Sequence, residues 1–99
     1  MILNVYCYYN KLLQAFGNFQ LDDHNADQVC AGLSRDLRAR FLEGKAENLK
    51  YIELYCLGTF DDETGAFVND KKLILDLGSV IAGFEAQRAA KQEEISKEA

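Results

Sequence analysis

Along Ile2 to Tyr9 the run ILNVYCYY is dense in β-branched and aromatic residues, with Leu3, Val5 and Cys7 forming an apolar odd set and Ile2, Asn4, Tyr6 and Tyr8 a mixed even set. A period of two in such residues predicts a strand. After Asn10 and Lys11, the run LLQAFGNFQL puts Leu13, Ala15, Phe19 and Leu21 on one face and Gln14, Phe16, Asn18 and Gln20 on the other. Two strands around Asn10 make a hairpin. Bringing both apolar sets to one face requires a three-residue or bulged turn, because a two-residue loop would set Leu13 opposite Tyr8 and mix the faces.

The period then changes. Asn25 is an N-cap, Gln28 can reach back to it as in a capping box, and the acids before it suit a helix N-terminus. Ala26, Val29, Cys30, Leu33, Leu37 and Phe41 recur at three and four residues, and Gly44 stands where a C′ residue belongs. Arg35 and Arg38 point away from that stripe. YIELYCLGTF, residues 51–60, returns to strand alternation, with Ile52, Leu54, Cys56 and Phe60 on one face and Tyr51, Glu53, Tyr55 and Thr59 on the other. Asp61 to Gly65 predicts a tight hairpin turn in which Gly65 supplies a positive φ, and Ala66-Phe67-Val68 is the returning strand. KKLILDLGS follows as a short buried run, then a helical stretch from about Ser79 anchored by Val80, Ile81 and Phe84. From Gln87 the chain is Ala, Lys, Gln and Glu, which favours helix but buries almost nothing. The expected fold is α+β: two β-hairpins flanking a central helix (ββαββ), with a C-terminal helix or tail. Residues 1–84 make one domain and 85–99 a charged helical or frayed tail.

Ninety-nine residues suffice for one domain with a modest core, and oligomerisation would help to stabilise it. There is no proline, no glycine-rich linker and no internal repeat. Eleven basic against sixteen acidic side chains leave a net charge of -5, which disfavours indiscriminate nucleic-acid binding. The deficit lies in residues 51–99. Cys7, Cys30 and Cys56 are odd in number, widely spaced and set among apolar residues, as expected of free thiols in a reducing compartment. Met1 to Val5 is too short for a signal sequence and no apolar run approaches a membrane span, so a cytosolic location is expected.

Chemistry is sparse. His24 has no second His or nearby Cys at ligand spacing, and Asp61-Asp62-Glu63 are adjacent residues on a tight turn that do not converge on one ion, so no metal is expected. Ser34, Ser79 and Ser96 belong to no recognisable triad pattern, and no phosphate-binding glycine motif is present. The expectation is a protein that is not an enzyme and carries no cofactor. What remains is surface. Tyr6, Tyr8 and Phe16 fall on the strand face opposite the apolar set, where they form either a stacking platform for single-stranded nucleic acid or a face covered by protein. Arg35, Arg38, Arg40, Lys45 and Lys50 give residues 35–50 a net charge of +2 after Asp36, Glu43 and Glu47, as a phosphate track or as an ordinary solvated helix face.

LNVYCYYNKLLQAF near the start and LYCLGTFDDETGAFV at 54–68, with GTFDDETG its most specific block, resemble the small nonstructural protein of gokushoviruses, single-stranded DNA phages of the Microviridae. The likeness covers roughly residues 1–75. It implies a phage-encoded, non-virion protein in the host bacterial cytoplasm, of a kind described as DNA-binding and linked to single-strand synthesis and packaging. The function expected is that of a non-enzymatic accessory protein binding single-stranded DNA, its site drawn from Arg35, Arg38, Arg40, Lys45, Lys50, Tyr6, Tyr8 and Phe16. The competing expectation is an interaction module for the phage initiator, a host replication factor or the procapsid. A homodimer or higher oligomer is expected, formed through a sheet edge or the face of Tyr6, Tyr8 and Phe16, since two hairpins leave edges to manage.

Overall fold

The structure, a computed structural model, describes the backbone of residues 1–98 and the side chains through Gln92. It is α+β, with a four-stranded antiparallel sheet and two helices. In chain order the elements are β1 (Ile2–Asn10), β2 (Ala15–Asp22), α1 (Ala26–Leu42), a 3₁₀ turn (Glu47–Tyr51), β3 (Ile52–Asp61), β4 (Phe67–Asp76) and α2 (Leu77–Glu98). The two hairpins do not stand apart on either side of the helix. β1 pairs with β3, giving the order β2-β1-β3-β4 in one sheet.

Local signals end the elements where their chemistry dictates. The Asn25 side chain accepts from the Gln28 N–H at 2.9 Å, and the Gln28 side chain accepts from the Asn25 N–H at 3.0 Å. At the other end of α1, Gly44 N–H donates to Phe41 C=O (3.0 Å) and Lys45 N–H to Arg40 C=O (2.8 Å), the paired closure of a helix that stops at a C′ glycine. Gly65, at φ +75°, closes the β3–β4 turn by donating to Asp61 C=O at 2.8 Å. α2 begins at Leu77, ahead of Ser79, because the Asp76 carboxylate accepts from Gly78 N–H (3.0 Å) and Ser79 Oγ (3.2 Å) and so caps the first turn.

Both helices pack on the same face of the sheet. Tyr6 and Leu54 meet Leu37 of α1 and Leu77 and Ile81 of α2, with Val29, Leu33, Phe41, Ile74 and Phe84 around them. This reverses the expected sidedness: Tyr6, on the mixed set, is 5% exposed beneath the helices, and the odd set of β1 faces away from them. Four irregularities of strand register then redistribute the aromatic residues. Cys7 pairs with Phe19 and Tyr9 with Phe16, so Gly17 and Asn18 together oppose Tyr8. The extra residue moves Phe16 onto the face of Cys7 and Tyr9. The hairpin loop has four residues, with Leu13 in it rather than in β2, and Asn10 Oδ1 accepts from the N–H groups of Leu12 and Leu13 at 2.9 and 3.1 Å. Where β1 meets β3, Val5 pairs with Gly58 but Tyr6 with Cys56, which turns Leu57 and Phe60 toward the odd-set face; two further irregularities, at Ile74 and at Asp70-Lys71 opposite Leu57, adjust β4.

Candidate functional site

The helix-free face of the sheet is lined by side chains that sequence alternation assigns to a core. At one end, Val5, Phe19, Leu21, Leu57, Phe60 and Phe67 enclose a shallow trough of about 420 Å³ with no polar side chain in its lining. Phe19 is 64% exposed, Phe67 51% and Leu21 44%. Val5 lies at its floor and is buried, as is Cys7, which pairs with Phe19 and whose thiol is pushed above its usual range by burial. At the other end Tyr9, Phe16 and Tyr55 make a cluster, with ring centroids 4.9 Å apart for Tyr9–Phe16 and 5.4 Å for Phe16–Tyr55. Both contacts are tilted or edge-on, as the ring quadrupoles prefer. The Lys71 ammonium sits 5.9 Å from the centre of the Tyr55 ring.

The residues singled out from sequence do not form one site. Tyr6 is a core residue whose hydroxyl donates to His24 C=O at 2.8 Å, tying β1 to the start of α1; burial raises its pKa. Tyr8 shares the helix side, where it lines a 350 Å³ pocket with Leu33, Asp36, Leu37, Arg40, Leu49, Ile52 and Leu77. Burial and the neighbouring Asp36 push its phenol up, against the pull of Arg40. Only Phe16 belongs to the open face. Arg35, Arg38 and Arg40 are exposed on α1, but a helix advances about 100° per residue, which places Arg40 about 140° from Arg35 and about 160° from Arg38. Lys45 is 3.6 Å from Glu43, and Lys50 is bound between Glu85 (2.8 Å) and Glu47 (3.0 Å), which raises the Lys50 pKa. Two of the five cations are thus already paired, and the rest split between flanks. All lie across the sheet from the aromatic cluster.

Arg38 does acquire partners that sequence reading missed. With Phe41, Leu42, Phe84, Gln87, Arg88, Lys91 and Gln92 it lines a groove of about 290 Å³ between α1 and α2. The Arg88 guanidinium lies 4.5 Å from the Phe41 ring centre, and Phe41 meets Phe84 at 5.6 Å. The sequence signal was the i, i+3 spacing of Arg88 and Lys91 one turn beyond Phe84, inside the segment set aside as a tail. A second missed grouping is Asp22, Asp23 and His24, whose ligating atoms lie within 4.8 Å of one another. Its geometry is that of a turn: Asp22 Oδ1 accepts from the His24 backbone N–H (2.8 Å) and contacts Nδ1. Those contacts lower the Asp22 pKa, and Asp22 with Asp23 raises that of His24 above 6.5.

No helix among the described residues is long and apolar enough to cross a membrane. No protein-family model matches the chain, and neither does any curated protein or any solved structure.

Proposed function

We propose that the protein is a non-enzymatic accessory factor that binds single-stranded DNA during phage genome replication or packaging in the host cytoplasm, with the open sheet face as its working surface. The observation that carries this reading is the layering. Both helices occupy one side of the sheet, and the other side carries the exposed Phe16 against the partly buried rings of Tyr9 and Tyr55, with Lys71 over Tyr55. A four-stranded sheet with exposed aromatics is a surface on which unpaired bases stack, each base contributing about 1–3 kcal/mol whatever its identity. Cations on this face are few: Lys72 lies on the helix side with Tyr6 and Cys56, 3.1 Å from Asp70, and Lys11 is held by the α2-capping Asp76 at 3.4 Å. Stacking, not phosphate neutralisation, therefore supplies most of the affinity.

The test is fluorescence anisotropy with a labelled oligonucleotide over a range of salt concentrations. One or two phosphate contacts give a log-log slope of magnitude about 0.7–1.4. Phe16→Ala with Tyr55→Ala should weaken binding about tenfold or more, while Arg35→Glu with Arg38→Glu should leave it nearly unchanged. The opposite pattern, with a slope of magnitude about 2 or more, would move the site to the α1–α2 groove. Absence of binding would favour the second reading, an interaction module for a replication or capsid protein. The wholly apolar lining of the Phe19–Phe67 trough and the net charge of -5 speak for that module.

A further inference from the structure

We propose that the Phe19–Phe67 end of the open face is a homodimer interface, closed by a second copy of this chain about a two-fold axis that crosses the strands near Phe60. The first argument is area. Phe19, Leu21 and Phe67 are 64%, 44% and 51% exposed and present about 100 Å² apiece for burial, given that an aromatic side chain buries about 150–250 Å² in full, and the partly buried Leu57 and Phe60 add a smaller share. That is about 300–400 Å² of apolar surface per protomer. A standard interface removes about 800 Å² from each partner and is about 65% apolar in homodimers, so this patch supplies more than half of the apolar share of one stable interface. No charged side chain inside the trough selects a different partner.

The second argument is charge at the rim. Lys71 lies between the ladder pairs Cys56–Lys72 and Gly58–Asn69, level with Leu57 and three residues short of Phe60. The acidic turn Asp61-Asp62-Glu63 begins one residue past Phe60, and the Met1 amine, 2.8 Å from Asp62 and 3.4 Å from Glu63, offsets only part of its charge. Rotation by half a turn about an axis at Phe60 exchanges the level of Leu57 with that of Glu63. Each Lys71 then faces the partner's acidic turn, and the pairing occurs twice. Tyr9, Phe16 and Tyr55 stay outside the overlap at both ends of the dimer, so the proposal stands whether or not a strand binds there.

The full chain is to be examined by light scattering and sedimentation equilibrium in the absence of DNA, where a dimer at tens of micromolar is expected. Phe19→Asp and Phe67→Asp alter exposed side chains and should each raise the dimer dissociation constant about thirtyfold or more, with circular dichroism and melting temperature reporting an intact fold. Lys71→Glu should weaken the dimer, and mixing it with Glu63→Lys should restore association as a heterodimer. A monomer at these concentrations, or a dimer indifferent to both aspartate substitutions and therefore formed at an edge strand, would overturn the proposal.

Discussion

Gly58 is where the geometry of the open face is most exposed to a single atom. It sits at φ +148° in β3, and a Cβ built on it would lie 1.9 Å from Val68 C=O and 3.0 Å from Asp70 N on β4. An ordinary contact begins at about 3.4 Å, so Gly58→Ala must part the strands by about 1.5 Å or flatten the bulge that turns Leu57 and Phe60 outward. The backbone conformation costs about 1–3 kcal/mol for a residue with a side chain, and overpacking about 1–3 kcal/mol more. The combined loss, about 2–6 kcal/mol, is a large part of the total stability of a domain this size, about 5–15 kcal/mol. At about 4–8 °C per kcal/mol, the melting temperature should fall by about 8 °C or more. The assay is thermal unfolding followed by far-ultraviolet circular dichroism, with the near-ultraviolet signal of the Tyr9, Phe16 and Tyr55 cluster recorded beside it. Gly32→Ala and Gly83→Ala are the comparison, since a Cβ at either helical position meets nothing within 4 Å. Each should gain about 0.5–1 kcal/mol from helix propensity. A Gly58→Ala protein that melts within about 4 °C of the natural sequence would refute the close-approach reasoning.

Tyr6→Phe removes the hydroxyl that donates to His24 C=O but leaves that carbonyl its bond from Asn4 Nδ2 at 3.0 Å, so urea denaturation should register a loss of only about 1 kcal/mol, and a loss of several would refute this. The Asp22–His24 corner sets a pH dependence of definite sign. His24, with its pKa raised in the fold, contributes stability that is complete below its ordinary value of 6.5 and is lost as pH rises through the folded value; Asp22, lowered, contributes above the ordinary carboxylate range and loses it as pH falls through its folded value. Stability from this corner should therefore be greatest between about pH 4 and 6.5, and His24→Ala should flatten the upper limb of a denaturation-against-pH curve. Addition of a chelator should leave the melting temperature unchanged; a large fall would show that Asp22, Asp23 and His24 hold an ion.

The parts of this fold that could be read in the sequence are those whose causes lie within a few residues. The Asn25–Gln28 capping box, the closure at Gly44 and the Asp61–Gly65 turn depend on hydrogen bonds spanning three to five positions, so the residue types suffice to predict them. The apolar stripe of α1 follows equally directly from the helical period. The sides of the sheet do not, because both faces of β1 are hydrophobic: Val5 and Cys7 alternate with Tyr6 and Tyr8, and only the docking of Leu37, Leu77 and Ile81 decides which set lies under the helices. One inserted residue also reverses every later side chain in a strand, and nothing local to Gly17-Asn18 or Leu57 states that β1 will skip them. Phe16 and Phe60 consequently reached the open face against their alternation. The pairing of β1 with β3, and the meeting of Arg38 with Arg88 and Lys91, join residues about fifty apart in the chain. Such contacts form only when helix docking and strand register are satisfied together, which is a property of the packed molecule and not of any segment of it.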